Sequence, residues 1–372
     1  MHILFAGGGT AGHINPALAV AGLIKEKHPD AKISYIGTEN HLEAKLVPQA
    51  GYDFYTIDVV GLKRSLSPKN IGKNIVAIKK AVVASMKVAK LLKELNPDVV
   101  VGTGGYVSGP VLREAAKIGI KTAIHEQNAF PGITTKMLSG KVDTVMLAMR
   151  EAEKHLKLNK KPVVTGNPVR IEFLKPTSRE EARKKLGLSN EPMILSFGGS
   201  LGARPINEAV TELMISHASS GKYIHFHSTG SQGYETTVAK LKEGGVNLRN
   251  PKLLVSEYIT NMADCMIAAD LIIGRAGAIT LSEICAVGRA SVLIPSPYVA
   301  ENHQFHNAMT LKNINAAEVI EEKDLTGETL IRTVDKILGD SDTAAQMGRN
   351  AAKASIPDAN ERIYNCIMEL IN

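Results

Sequence analysis

The sequence predicts an α/β chain of two doubly wound Rossmann-like domains facing a central crevice, and three observations carry that expectation. Short apolar strands alternate with helical stretches through both halves. Each half opens with a strand that runs into a glycine-rich turn. The chain has 372 residues, 44% of them hydrophobic and 22% charged, which is enough to build two cores.

In the first half the strands read HILFAG (2–7), KISYIG (32–37), DVVVG (98–102), TAIHE (122–126), TVMLAM (144–149) and PVVTG (162–166). Near-continuous apolar runs of this length fit a parallel sheet covered on both faces. GGGTAGH (7–13) follows the first strand, and a helix is expected from about Asn15-Pro16, with proline suited to a first turn. Gly7, Gly9 and Gly12 have the G-x-G-x-x-G spacing, which lets backbone N–H groups and a helix N-terminus approach a diphosphate. A tight turn that binds nothing is the other reading of any single match of this kind. The second half repeats the scheme with PMILSFGG (192–199), YIHFHSTG (223–230), KLLVSEYI (252–259), LIIGRAG (271–277) and SVLIPSP (291–297).

Pro168 restricts Asn167 to extended backbone, and the next helical pattern, SREEARKKLGL, starts at Ser178. The domains are therefore expected at 1–167 and 168–356. The segment 357–372 carries a terminal amphipathic helix with Ile363, Ile367, Leu370 and Ile371 at helical spacing. Periodicity does not say which domain that helix covers.

Three more glycine clusters stand beside the first: GTGGYVSGP (102–110), GGSLGAR (198–204) and GRAGAIT (274–280). All four follow predicted strands, at the edge where open α/β sheets bind ligands, so the crevice should hold a ligand with several phosphate oxygens. His13 lies in the first cluster, and His125, Glu126 and Asn128 lie in HEQN after the fourth strand. Either histidine could instead be a structural, hydrogen-bonded residue. Arg170, Arg204 and Arg275 can offset phosphate charge through planar donors, and surface solvation is the other account of Arg204. Glu283 sits about one turn into the helix after the fourth cluster, where it can accept ribose hydroxyls or simply favour the helix dipole.

The formal charge of +7 is local. Nine basic residues and no acidic one fall between Val59 and Lys93, so the rest of the chain carries a net −2. With no tryptophan and few aromatics, this is a poor base-reading surface, and no nucleic-acid partner is expected. Read as a helix, Ile71, Ile75, Ile78, Val82, Met86, Ala89 and Leu92 form an apolar stripe, with Lys73, Lys80 and Lys87 opposite. Such a helix suits an anionic membrane surface. A helix packed on its own sheet with solvated lysines shows the same pattern, and the two readings are compatible.

No apolar run approaches the ~20 residues of a membrane span, and the N-terminal run is too short for an export signal. Cys265, Cys285 and Cys366 have no paired spacing, so neither a zinc site nor a disulfide framework is expected, and reducing cytosol fits best. The one Asp-x-Asp pair, Asp340-Ser341-Asp342, ends a helical pattern away from any strand edge and reads as a solvated loop or helix cap. No metal and no other cofactor are expected.

Taken together, GGGTAGH, GTGGYVSGP, HEQN, TGNPVR, GGSLGARPIN, RAGAITLSE and ENHQFHNA resemble the bacterial undecaprenyl-diphospho-N-acetylmuramyl-pentapeptide N-acetylglucosaminyltransferases of peptidoglycan synthesis. The resemblance runs in order from the first strand to about Ala308. It implies a GT-B glycosyltransferase fold whose C-terminal domain binds UDP-N-acetylglucosamine and whose N-terminal domain takes the polyprenyl-diphosphate-linked muramyl-pentapeptide acceptor. The last helix would cross back to the N-terminal domain. The enzyme would sit peripherally on the cytoplasmic face of the cell membrane.

By the same resemblance, Thr10, Ala11, Gly12, Asn128, Arg170, Ser200, Ile259, Ile279, Thr280, Glu283 and Gln304 fall at donor-contacting positions. His13, Tyr106, His125, Glu126, Asn207 and Arg275 match positions important for activity. Ala11 departs from the family, many of whose members have glycine there.

The reaction so implied is an inverting attack of the acceptor 4-hydroxyl on the anomeric carbon. His13 is the first candidate for base and Glu126 the second. Arg275, Ser200 and loop N–H groups would meet the leaving diphosphate. Two other enzyme classes compete. A nicotinamide-dependent oxidoreductase would use Glu39 after the second strand, somewhat late for ribose recognition. A UDP-N-acetylglucosamine epimerase would act on a soluble sugar and leave the basic helix unused.

Overall fold

The computed structural model describes residues 1–58, 85–175, 177–199 and 201–372. Its contacts divide the chain into two compact units, Met1–Val169 with Asp358–Asn372, and Arg170–Pro357. Ser200 and most of the basic segment expected to form the amphipathic helix lie outside the described residues.

The first unit runs β1 (His2–Ala6), α1 (Ala11–Lys27), β2 (Lys32–Gly37), α2 (Glu43–Gln49), β3 (Asp53–Thr56), α3 (described over 85–95), β4 (Val99–Gly102), α4 (Gly105–Lys117), β5 (Lys121–Glu126), α5 (Ile133–Leu138), β6 (Thr144–Leu147) and β7 (Val163–Val164). Its strands form one parallel sheet in the order β3-β2-β1-β4-β5-β6-β7. β1 and β4 are wholly buried, which is why they read as unbroken apolar runs. Alternate residues of β1 serve opposite layers. Ile3 and Phe5 pack with Ile14, Val20 and Ile24 of α1, while Leu4 and Ala6 pack with Val107, Val111 and Leu112 of α4.

The chain's last helix, α14 (Ala359–Ile371), completes the first of these layers by burying Ile363, Cys366 and Ile367 against it. Polar ties hold the same contact: Lys27 pairs with Glu361 at 2.6 Å, and the His28 ring bonds the Tyr364 hydroxyl at 2.7 Å.

Within α3, Val88 and Leu92 enter the core, and Lys87, Lys90 and Lys93 are exposed. Met86, expected on the inward stripe, is instead 63% exposed. The stripe's phase follows Val88 and Leu92, one helical turn apart, and turns Met86 outward with Lys90 and Lys93.

The second unit runs α6 (Arg179–Lys185), β8 (Met193–Phe197), α7 (Arg204–Ala218), β9 (Ile224–Ser228), α8 (Tyr234–Glu243), β10 (Leu253–Ser256), α9 (Met262–Ala268), β11 (Leu271–Gly274), α10 (Ala278–Val287), β12 (Ala290–Leu293), α11 (His303–Asn313), β13 (Ala317–Val319), α12 (Gly327–Leu338) and α13 (Ser341–Lys353). Its parallel sheet has the order β10-β9-β8-β11-β12-β13. Ser178 and Glu181 close a reciprocal capping box on α6, and Asp340 caps α13 through the Asp342 N–H.

Both sheets have Rossmann order, so the predicted fold class is the fold found. Two strands escaped the sequence pattern. β3 (DFYT) is half exposed at an edge of the first sheet, and β13 (AEV) has only three residues at an edge of the second, so neither makes an apolar run. α1 begins four residues earlier than expected, which puts Pro16 inside the helix. There the ring leaves the Gly12 carbonyl without its usual intrahelical donor. Among the described residues no helix is long and apolar enough to cross a membrane.

Candidate active site

In each sheet the strand order reverses between two central strands, β1 and β4 in one and β8 and β11 in the other. The four glycine turns follow those four strands, so each unit carries a pair of them at its switch point.

In the first unit, Thr10 precedes α1 without capping it through its side chain, and no acidic residue lies in the first turn. The N–H groups of Ala11 and Gly12 at this helix end suit an anion. Gly104 holds φ +101, and a Cβ there would sit 2.7 Å from the His13 ring, so only glycine lets the second turn lie against that histidine. The His13 Nδ1 lies 3.2 Å from Gln127 Oε1.

One residue of this site was missed in the sequence. Glu43, fully buried at the start of α2, accepts from the Gly9 N–H at 3.1 Å and from Thr38 through its N–H at 3.2 Å and its hydroxyl at 2.7 Å. A Cβ on Gly8 would meet the same carboxylate at 2.4 Å. Burial alone would raise its pKa, and the bonds from Thr38, its own amide and Gly9 outweigh burial and hold it below the usual carboxylate range. The Gly9 donor is therefore spent on a carboxylate, and any phosphate at the first turn must use the N-terminal amides of α1. Through Thr38 the same network reaches His41 at 3.0 Å, and His41 lies 3.2 Å from the Tyr106 hydroxyl.

HEQN divides into unlike roles. Glu126, the second candidate for base, is 3% exposed. It accepts from the Asn128 N–H and side-chain amide, both at 3.1 Å, from the Gly132 N–H at 3.0 Å and from the Thr135 hydroxyl at 2.5 Å. Four donors occupy the carboxylate, and through them it holds the loop into α5. His125 is 1% exposed and bonds the Gly166 carbonyl at 3.0 Å. Burial lowers its pKa and keeps the ring neutral.

In the second unit, Gly202 of the third turn has φ +81, and a Cβ would come within 2.0 Å of the Thr229 carbonyl. That turn therefore packs backbone to backbone on the loop after β9. Asn207 of α7 locks the same loop by donating to Thr229 O at 2.8 Å.

Arg275 of the fourth turn, expected at the leaving diphosphate, is ion-paired with Glu322 and donates to the Ile294 carbonyl at 3.1 Å. Both partners of that pair are largely buried, so the guanidinium braces the turn from behind. Asn307 adds a second brace to the Ala276 carbonyl at 3.2 Å. Ile279 and Thr280, half-exposed in the first turn of α10, are left at the front with its N-terminus.

Glu283 of α10 is 8% exposed and accepts from Arg170 Nε at 2.9 Å, while the Arg170 guanidinium lies over the Phe173 ring. Burial raises the Glu283 pKa, and Arg170 opposes that rise. A carboxylate has room for further hydrogen bonds beyond this one. Gln304, in the first turn of α11, accepts from the Ser296 N–H at 2.9 Å. Immediately before it, Glu301 and Asn302 both hold positive φ, +55° and +49°, a conformation that costs about 1–3 kcal/mol each and gathers at ligand sites. Ile259 is buried just beyond β10.

Paired glycine turns and open helix N-termini at two switch points define an enzyme that handles phosphate-bearing ligands. The chain belongs to glycosyltransferase family 28: residues 3–147 match the model of the family's N-terminal domain and residues 193–363 that of its C-terminal domain. It is 45% identical, over 100% of its length and 98% of the relative's, to the UDP-N-acetylglucosamine--N-acetylmuramyl-(pentapeptide) pyrophosphoryl-undecaprenol N-acetylglucosamine transferase of Acetivibrio thermocellus. The enzyme of the same name from Thermoanaerobacter sp. is 46% identical, with both chains covered over 100%. Among solved structures, Acinetobacter baumannii MurG superposes with a TM-score of 0.82 at 29% identity, covering 99% of each chain. A UDP-GlcNAc 2-epimerase from Neisseria meningitidis reaches a TM-score of 0.65 at 13% identity, covering 99% of this chain and 100% of its own, which is a likeness of fold alone.

Proposed function

We propose that this protein transfers N-acetylglucosamine from UDP-N-acetylglucosamine to the 4-hydroxyl of an undecaprenyl-diphospho-N-acetylmuramyl-pentapeptide, with inversion at the anomeric carbon. The full-length identity to transferases named for that reaction carries the reading. In it, the second unit binds the donor, with the N-terminus of α10 and the third turn, Ser200 included, at the diphosphate and Glu283 on the ribose hydroxyls. The first unit takes the acceptor, whose diphosphate meets the amides at the start of α1. His13 removes the hydroxyl proton as the nucleophile attacks, and the charge that develops on the leaving UDP is met by fixed N–H dipoles.

Incubation with labelled UDP-N-acetylglucosamine and a short-chain lipid acceptor, without added metal, is expected to give labelled lipid. Epimerised free sugar nucleotide and unlabelled lipid would reject the transfer.

Two further results are expected. Glu283→Gln removes a charged acceptor worth about 1.5–3 kcal/mol, so the Kd for UDP-N-acetylglucosamine, read by calorimetry, rises by about 10- to 100-fold. The ionised carboxylate is the binding form and burial raises its pKa, so wild-type donor affinity should fall on acidification at a higher pH than an ordinary carboxylate would give. An affinity flat with pH and unchanged in Glu283→Gln removes Glu283 from the donor site.

We place the enzyme peripherally on the cytoplasmic face of the cell membrane, with Met86, Lys87, Lys90 and Lys93 toward anionic lipid. Their exposure on α3 supports this. At roughly 1 kcal/mol per lysine, reversing the three lysines to glutamate is expected to weaken binding to anionic vesicles by at least about 100-fold and to leave donor affinity alone. Unaltered vesicle sedimentation would count against this surface.

A further inference from the structure

We infer that Gln127 fixes the ring tautomer of His13 and so leaves His13 Nε2 as the free proton acceptor. The inference rests on the reading of His13 as the base, and Gln127 is a positioning residue that acts through it.

Gln127 directly follows β5 and is 2% exposed. The two ends of an amide have the same shape, so only the surroundings decide which is nitrogen. Its Nε2 lies 3.0 Å from the Thr103 carbonyl, 3.0 Å from the His125 carbonyl and 3.0 Å from His125 Nδ1. Carbonyl oxygens only accept. Turned over, the amide would press its own oxygen against both carbonyls and the His125 ring nitrogen in a buried site, and would take from all three the donor they share. The nitrogen must therefore face inward.

That choice propagates outward. Gln127 Oε1 is left 3.2 Å from His13 Nδ1, and because it too can only accept, Nδ1 must carry the proton. A neutral imidazole protonated on Nδ1 keeps its lone pair on Nε2. The same logic settles the second histidine. His125 accepts from Gln127 on Nδ1, so its proton is on Nε2, which donates to the Gly166 carbonyl at 3.0 Å. Asn167 donates to the Gln127 carbonyl at 3.1 Å and holds the backbone in place. Three stretches of chain, at Thr103, at HEQN and at Gly166-Asn167, thus converge on one proton position of His13.

Histidine-selective 15N labelling reads the tautomer directly, with His13 assigned by the signal that His13→Gln removes. In the wild-type protein Nδ1 is expected to carry the proton. In Gln127→Leu the two tautomers should mix and kcat should fall on the order of 10²-fold, the cost of a misplaced catalytic group, with the Kd for UDP-N-acetylglucosamine unchanged. A wild-type His13 protonated on Nε2 overturns the inference without any variant. So does a Gln127→Leu protein whose tautomer and kcat both stay as in wild type. If the tautomer depends on Gln127 while His13→Ala keeps its turnover, the positioning stands and the base reading falls.

Discussion

Replacing His13 with alanine is expected to lower kcat by about 10²- to 10⁴-fold, the usual contribution of a positioned proton acceptor, with the donor Kd unchanged. The attacking hydroxyl is a weak nucleophile at neutral pH, so its proton has to leave as the new bond forms. Of the candidates, His125 is buried and hydrogen-bonded through both ring nitrogens, and the Glu126 carboxylate is filled by four donors. His13 alone among them is half-exposed, at the first turn of α1, with one nitrogen committed inward. Steady-state kinetics beside calorimetry of donor binding makes the check. Near-wild-type kcat in His13→Ala returns the role to water or to a residue not considered, whereas a raised donor Kd alone would mean the site itself had shifted.

The second large effect is expected in stability. His225 and His227 lie buried on β9, and burial pushes their pKa values down to about 3 and about 4. His225 meets His217 at 3.2 Å, and His217 meets Asp335 of α12 at 3.1 Å, so one proton order runs along the chain from carboxylate to buried ring. His227 packs against Ser196 of β8 at 2.9 Å. Unfolded, each of the two β9 histidines titrates near pH 6.5. Above that pH neither state is charged and nothing is lost. As pH falls below it, the unfolded chain takes up protons that the folded one refuses, and stability declines until the folded pKa values are reached. At pH 5 the two together cost about 4 kcal/mol, out of a total of about 5–15 kcal/mol for an ordinary domain. Urea unfolding of the wild type should show that loss between pH 7.5 and pH 5, and the double variant His225→Gln, His227→Asn most of it removed. Equal losses in the two proteins would place the acid sensitivity elsewhere.

The fold was legible where strands are covered on both faces, because apolar residues dominate them. β1, β4, β8 and β11 could be read directly, and the edge strands β3 and β13 could not. The site was legible as a set of turns, since glycine at a strand end marks itself. What those turns do with their donors was not. Glu43, which takes the Gly9 N–H, lies 34 residues on, and Glu322, which takes the Arg275 guanidinium, lies 47 residues on. No local spacing announces either partner. Gln127 was visible in HEQN, but its meaning depends on the Thr103 carbonyl, 24 residues earlier, and passes to His13, 114 residues away. Residue type suggested the histidine, and only tertiary packing assigns its proton.

The burial of Ile363 and Ile367 against β1 and α1 has a consequence for truncation. Residues more than 300 positions apart share one core, so a chain cut before Ala359 leaves an apolar layer of the first unit uncovered. The second unit, Arg170–Pro357, keeps all the strands of its own sheet after such a cut. The shortened protein should thus hold one folded unit and one that binds chaperones, and supplying residues 359–372 as a separate peptide is expected to cover the exposed layer again.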